Sequence, residues 1–348
     1  MCAYAGAVQF INGGFMKIMR KVLILTAAMM LGLTGCGTAN SDSPAGGTSE
    51  AGGTDVSQSA TDSPQTVSNE VMYQLTDYSQ MMGYVIRTRH GKLIVIDGGY
   101  DRDADSIIDL ARELTGSDVP EIDAWLLSHP HMDHVDAFSE IISKRPGTLS
   151  VKNVLYNLPE HSYVLEHGDP GSDVTYDKLT AALDTLDASQ KTVVQQGDSF
   201  DIDGISIEVL LVPDNSPDVV KGAAINESSV IYRLTIAGQR VLFLGDAYTR
   251  SDQRLRQAYG KDLVSDIVQM AHHGSNGVNR SLYKLISPKA CLWPTPDWLW
   301  NNDQGGGYDT GPWETVKLFE YMRDQVGVKY HYVAKDGVIR LEFPLDLE

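Results

Sequence analysis

His129-Pro130-His131-Met132-Asp133-His134 gathers three imidazoles and a carboxylate into six residues of a 348-residue chain that has nine histidines in all. Side chains two apart on an extended backbone project to the same side, so His129 and His131 can grip one ion together. Asp133 and His134 follow as the chain turns toward an expected helix over 134–145, where their side chains reach a second ion nearby. The pattern predicts a two-metal hydrolytic centre. The apolar run Ala124-Trp125-Leu126-Leu127 directly before it reads as a buried strand that aims the cluster, and a solvated patch of histidines would need no such strand.

The second half of the chain carries the complement. Val241-Leu242-Phe243-Leu244 has a strand pattern and ends in Gly245-Asp246. A carboxylate at that strand end, bound to both ions, would fix their separation at about 3.5–4 Å, and Asp246 is assigned this bridging place. A further strand over Asp266 to Met270 ends in Ala271-His272-His273-Gly274-Ser275. One of the paired histidines is expected to bind the second ion while the other orients it or meets the substrate. His272 is preferred as the ligand, which leaves His273 to donate a proton. The expected ligands are therefore His129, His131, Asp133, His134, Asp246 and His272, with Asp133, Asp246 and His273 as catalytic residues. Two divalent ions, zinc first and manganese as the alternative, are the expected cofactors.

These groups need elements to hold them. Strand patterns at Val71 to Leu75, Gly83 to Thr88 and Lys92 to Asp97 have hairpin grammar, and the third is apolar enough to be central. Asp103 to Leu114 places Ile107, Ala111 and Leu114 on one helical face and stops at Gly116. A strand over 123–128, the helix over 134–145, a strand over 151–156, a loop-like stretch over 157–175 and a helix over 176–187 follow. The second half adds strands over 192–196, 205–212, 229–236 and 240–244, a helix from Arg250 to Tyr259, and a tail of alternating helices and strands ending at 337–343. Strands then helices, twice over, predict two sheets face to face with helices outside.

The chain is acidic, with a net charge of −18. That balance repels phosphate backbones and argues against broad electrostatic binding of DNA, although two divalent ions would supply positive charge where the chemistry happens. Met16-Lys17-Ile18-Met19-Arg20-Lys21 is a basic stretch, and the twelve mostly apolar residues from Val22 to Leu33 are too few to span a bilayer, so the segment reads as an export signal. Residues 1–15 lack that character, and Met16 or Met19 is the expected true start. Removal of 1–36, which holds three cationic and no acidic residues, would take the charge to −21. Residues 37–68 are rich in Gly, Ser, Thr, Ala and Asp and read as a flexible tether, leaving 69–348 as the globular domain. Of Cys2, Cys36 and Cys291, only Cys291 falls within that body, where its flanks read as a core strand.

Several motifs carry resemblances. Leu33-Thr34-Gly35-Cys36 resembles the bacterial lipobox, which implies lipidation of Cys36 and a place on the outer face of the cytoplasmic membrane. The H-x-H-x-D-H pattern resembles the signature of the metallo-β-lactamase fold superfamily, which implies an αββα four-layer sandwich. Asp97, closing a strand before Gly98-Gly99, resembles that superfamily's first motif, in which the Asp supports the metal loop. Asn226-Glu227-Ser228-Ser229-Val230 through Gly245-Asp246, His272-His273-Gly274-Ser275, Ser287-Pro288-Lys289 and Lys335-Asp336-Gly337-Val338-Ile339-Arg340 look like the hydrolase domain of ComEC-type competence proteins. This implies a stand-alone phosphodiesterase acting on extracellular nucleic acid, without that family's membrane channel. Where the family carries a late Gly-His-Pro, this chain has Thr310-Gly311-Pro312-Trp313. Many superfamily members supply a third histidine to the first ion from the segment after the next strand, where only His161 and His167 lie, and His161 is the candidate. Trp293, Trp298, Trp300, Tyr308 and Trp313 would form an aromatic lip able to stack bases or cage a quaternary ammonium. The second option is similar to the superfamily's teichoic-acid phosphorylcholine esterases and makes a cell-wall polymer the alternative substrate. A non-enzymatic surface binding lipoprotein is the third expectation.

Overall fold

The computed structural model describes residues 69–348, so the expected export signal, Cys36 and the tether lie outside the described residues. Strand alternation builds the layers. Leu93 and Val95 face one way and Ile94 and Ile96 the other, and all four are fully buried, as in a strand covered on both faces. Val241 and Phe243 are set against Leu242 and Leu244 in the same manner.

In chain order the first half holds β1 (Val71–Gln74), β2 (Gly83–Arg87), β3 (Leu93–Asp97), α1 (Ala104–Thr115), β4 (Glu121–Ile122), β5 (Ala124–Leu126), α2 (Met132–Lys144), β6 (Ser150–Val151), β7 (Val154–Tyr156), α3 (His161–His167), α4 (Ser172–Asp184) and β8 (Lys191–Val193). The second half holds β9 (Ser199–Ile202), β10 (Ile205–Leu211), β11 (Ile231–Ile236), β12 (Gln239–Phe243), α5 (Thr249–Tyr259), β13 (Ile267–Gln269), α6 (Arg280–Ile286), β14 (Ala290–Trp293), α7 (Asp297–Trp300), α8 (Thr315–Tyr321), β15 (Tyr330–Val333) and β16 (Ile339–Glu342).

Two seven-stranded sheets result, ordered β16-β1-β2-β3-β5-β7-β8 and β15-β14-β13-β12-β11-β10-β9. Ile94, Ile96 and Leu126 of the first sheet meet Tyr232, Leu234, Val241 and Phe243 of the second in the inner core. The outer face of the first sheet packs Val95 and Trp125 against Ile107, Phe138 and Leu179. The outer face of the second packs Leu242, Val268, Cys291 and Trp293 against Leu255, Leu282 and Leu318. This is the expected αββα sandwich, and Cys291 is the buried core residue its flanks suggested.

The segment 157–175 departs from its loop-like expectation. It contains α3, and α4 begins at Ser172 rather than near 176. A seven-residue helix spans about two turns, too short for a periodic signal, and it is anchored by buried Tyr163 and Val164. β16 also crosses to the first sheet, pairing antiparallel with β1 at Met72↔Leu341.

The strands β3, β5 and β7 run parallel, as do β12 to β15, so their carboxyl ends gather the loops that follow. Such ends are where ligands bind in α/β sheets. The Tyr232 hydroxyl crosses between the sheets there, 3.0 Å from the Leu155 carbonyl and 3.2 Å from that of Leu127. Removing a buried donor costs about 1 kcal/mol. Tyr232→Phe is therefore expected to lower the unfolding free energy by about 1 kcal/mol, seen as a lower urea midpoint with an unchanged m-value, and an unaltered midpoint would show that the hydroxyl does not tie the sheets.

Candidate metal centre

β3 ends in Asp97, whose φ of +51° turns the chain out of the sheet. Its buried carboxylate accepts the Ser128 backbone N–H at 2.7 Å and the Ser128 hydroxyl at 2.6 Å. The same carboxylate lies 2.7 Å from His134 Nδ1. Asp97 thus fixes both the loop after β5 and the tautomer of His134, leaving the His134 Nε2 lone pair for another partner. Gly99 N–H donates to the His134 carbonyl and Met82 N–H to that of Asp133, which pin the first turn of α2 against the glycines after β3.

The second half arrives from β12. Gly245 has a φ of +56°, and a side chain there would strike Ser229 Oγ of its own half at 2.8 Å and press on Ser128 Cβ of the first half at 3.3 Å, so glycine lets the two halves approach. Asp246 N–H donates to Ser229 Oγ. Gln269, fully buried in β13, accepts the Leu244 N–H and donates to the Gly245 carbonyl. Glu227 accepts the backbone N–H groups of Arg250 and Ser251, holding the first turn of α5. After β13, His272, His273 and Gly274 have φ values of +50°, +54° and +75°. Left-handed backbone costs about 1–2 kcal/mol at each non-glycine residue. Trp293 supports the turn, because a side chain on Gly274 would meet its ring at 2.5 Å.

These constraints bring His129, Asp133, His134, Asp246 and His273 together, all buried. His131 Nδ1 faces His129 Nε2 at 3.1 Å, His273 Nε2 faces Asp133 Oδ2 at 3.2 Å, and His134 Nε2 faces Asp246 Oδ1 at 3.3 Å. His129 Nε2 and His273 Nε2 lie 3.8 and 3.5 Å from Asp246 Oδ2. Ligands about 2.0–2.1 Å from one tetrahedral ion are themselves roughly 3.3 Å apart, so these spacings suit metal ligation. His134 Nε2, Asp246 Oδ1 and His273 Nε2 are buried without a hydrogen bond, as ligand atoms should be. Two overlapping groups result, one of His129, His134 and Asp246 and one of Asp133, His134 and His273.

The electrostatics agree. Burial pushes the Asp246 carboxyl up, yet His134 and His273 hold it well below the usual carboxylate range. Burial likewise opposes charge on His134, but Asp246 and Asp97 hold it well above an ordinary imidazole. Asp246 and Asp133 raise His273 to about 9 against the same burial. His129 is pushed well down by burial and by neighbouring His134. Two buried carboxylates thus demand positive charge that protons or divalent cations can provide, and cations displace the protons as they bind.

Two expectations change. His273, not His272, faces Asp133, and its Nδ1 is 3.0 Å from the Pro294 carbonyl, so it is the candidate ligand of the second ion rather than a proton donor. Both residues are left-handed and both face Asp246, but only the fully buried His273 also reaches Asp133. His161 is not at the site either, since it stacks on Tyr176 at 5.1 Å and lies 3.4 Å from Asp177. Sequence reasoning passed over Gln80, which donates to Asp133 Oδ2 at 3.0 Å, and Tyr248, whose hydroxyl is 2.9 Å from His272 Nδ1. Gln269, a polar residue inside an apolar strand, carried a signal of its own.

The model of the metallo-beta-lactamase superfamily matches residues 82–290. The chain belongs to this superfamily. ComE operon protein 3 of Bacillus subtilis (strain 168) is 25% identical over 180 residues, covering 51% of this chain and 20% of that protein. Competence protein ComA of Neisseria gonorrhoeae is 23% identical over 222 residues, covering 64% of this chain and 26% of that protein. The chain therefore spans about a fifth to a quarter of the length of these curated relatives. Among solved structures, the diiron β-hydroxylase CmlA of Streptomyces venezuelae is similar at a TM-score of 0.48 with 15% identity, covering 79% of this chain and 54% of that one. The metallo-beta-lactamase fold protein YhfI of Bacillus subtilis is similar at 0.45 with 12% identity, covering 79% and 100%. Superfamily proteins typically hold two metal ions, and the His and Asp groups above are candidate places for them in this chain.

Asp97→Asn would keep the shape at the root of this site while removing the charge that orients His134. Partners of this kind are worth about 10–100-fold in metal affinity. A competition titration with a chromophoric chelator should show a loss of that size with the circular dichroism unchanged, and an unaltered affinity would remove Asp97 from the metal support.

Proposed function

We propose that the chain is an exported, lipid-anchored phosphodiesterase that works with two divalent cations, zinc or else manganese, and acts on extracellular nucleic acid. The observation that carries the hydrolase reading is the convergence of buried, unpartnered ligand atoms on Asp246 from both halves of the sandwich. The nucleic-acid reading draws on the similarity to the two competence proteins. Anchoring draws on the lipobox-like Leu33-Thr34-Gly35-Cys36.

His129, His131 and Asp246 would hold one cation, and Asp133, His134, His273 and Asp246 the other. A cation pair so held lowers the pKa of water, polarises a phosphoryl oxygen and stabilises the leaving oxygen. Asp97 and the Pro294 carbonyl fix the imidazoles of His134 and His273, and Gln80 fixes Asp133. The Tyr248 hydroxyl lies beside the set, 2.9 Å from His272 Nδ1, where it can give a proton to a departing alkoxide.

One observation favours the choline-bearing substrate as a second reading. A cavity of about 220 Å³ opens beside His131 and Asp133, lined also by Tyr100, Met132 and Asp169 and by no lysine or arginine. The Asp133 and Asp169 carboxylates suit an ammonium group better than a second phosphate, although one face of the Tyr100 ring already carries the Arg102 guanidinium 4.0 Å from its centroid. Trp293 takes no part in the expected lip, while Trp298, Trp300 and Trp313 are half-buried and Tyr308 is exposed. Trp293 is buried against Trp300 and Phe319, and Trp298 packs on Trp313 with ring centroids 6.3 Å apart.

Zinc-loaded protein offered linear DNA, bis-p-nitrophenyl phosphate and p-nitrophenyl phosphorylcholine should cleave the first two, and a chelator should abolish both activities. Turnover of the choline ester alone would replace the nucleic-acid reading with the second one. Two bound cations with no turnover would favour a binding lipoprotein. Separately, Cys36→Ser should release the protein from the membrane fraction of expressing cells, and unchanged fractionation would refute the lipid anchor.

A further inference from the structure

We propose that His272 is a protein ligand of the first cation, alongside His129 and His131. This rests on the two-cation reading and adds a second-half histidine to an ion otherwise held by two first-half histidines and Asp246.

The tautomer comes first. His272 Nδ1 is 2.6 Å from the Asn276 carbonyl, which can only accept, so Nδ1 carries the proton. Ser275 Oγ at 3.1 Å and Tyr248 Oη at 2.9 Å surround the same nitrogen. In the neutral ring that tautomer leaves Nε2 as a lone pair, 3.9 Å from Asp246 Oδ2. A proton shared between these atoms would need a spacing of about 2.7–3.2 Å, so 3.9 Å suits two ligands of one metal ion rather than a hydrogen bond. The same oxygen lies 3.8 Å from His129 Nε2, and that nitrogen faces His131 Nδ1 at 3.1 Å. Ligands about 2.0–2.1 Å from one ion cannot be more than roughly 4.2 Å apart, and all of these spacings fit.

No other histidine can take this place. His161 stacks on Tyr176, His167 leans on Tyr163, His90 pairs with Asp203 and His331 packs on Trp293. The backbone supports the same assignment. One left-handed residue would suffice to present one imidazole, whereas His272 and His273 both adopt that conformation and both face Asp246.

The test compares the full chain with His272→Gly, a change that suits the left-handed backbone. After loading with Zn²⁺ alone and desalting, elemental analysis should find two zinc ions per wild-type chain and one in the variant, with the second equivalent restored by free imidazole. The metal-free variant should melt at or above the wild-type temperature, while the extra stabilisation given by zinc should shrink. If the glycine variant does not fold, His272→Asn, which also tolerates this backbone, is measured instead with the same expectation. Two equivalents retained at unchanged affinity in the variant would overturn the assignment of His272 alone. A wild-type chain that takes up no zinc would overturn the two-cation reading and this inference with it.

Discussion

Asp133 and Asp246 are buried carboxylates, and a buried charge without compensation is among the costliest features a fold can carry. The arrangement around them follows from that constraint. Imidazole nitrogens of His134 and His273 face these oxygens, and His129 and His272 face Asp246 from farther out. Each inner imidazole is held at its far nitrogen, His134 by Asp97 and His273 by the Pro294 carbonyl. The far-side hydrogen bonds decide which lone pairs remain for a cation, so chemistry at the centre is set by residues that would never touch it.

Neither half of the chain completes this neutralisation alone. The first sheet delivers Asp97, His129 and the start of α2 from the ends of β3 and β5, while the second delivers Asp246 and His273 from the ends of β12 and β13. Close backbone approach between the halves explains Gly245 beside Ser128, and within the second half Gly274 lies against the Trp293 ring. The core tryptophan therefore serves the site indirectly, by supporting a strained turn rather than by stacking on a substrate. The Tyr232 hydroxyl and the Gln74 amide, which donates to the Trp293 carbonyl at 2.9 Å, tie the sheets together on the inner side.

Much of this was legible in the sequence for physical reasons. Fully buried strands such as Leu93–Asp97 stand out as apolar runs, and a cluster of histidines and an aspartate behind such a run has few other uses. Asp246 could be found the same way, as an acid closing the strand pattern that forms β12. The choice between His272 and His273 could not, because it depends on consecutive left-handed residues that no local propensity encodes. Gln80 and Tyr248 reach the site through contacts distant in sequence or across a turn, and α3 is too short to show a period. The pairing of β16 with β1 joins the two ends of the domain, a closure that local patterning does not record. The aromatic segment misled at Trp293, because tryptophans filling a core and tryptophans lining a cleft have the same spacing.

The central claim is that a pair of cations sits astride Asp246. Diffraction from crystals of the zinc-loaded protein, recorded at wavelengths on both sides of the zinc absorption edge, locates such ions without reference to activity. The account predicts two anomalous peaks flanking the Asp246 carboxylate, one against His129 and His131 and one against Asp133, His134 and His273. Peaks elsewhere on the molecule, or none within the His129 to His134 loop, would contradict it.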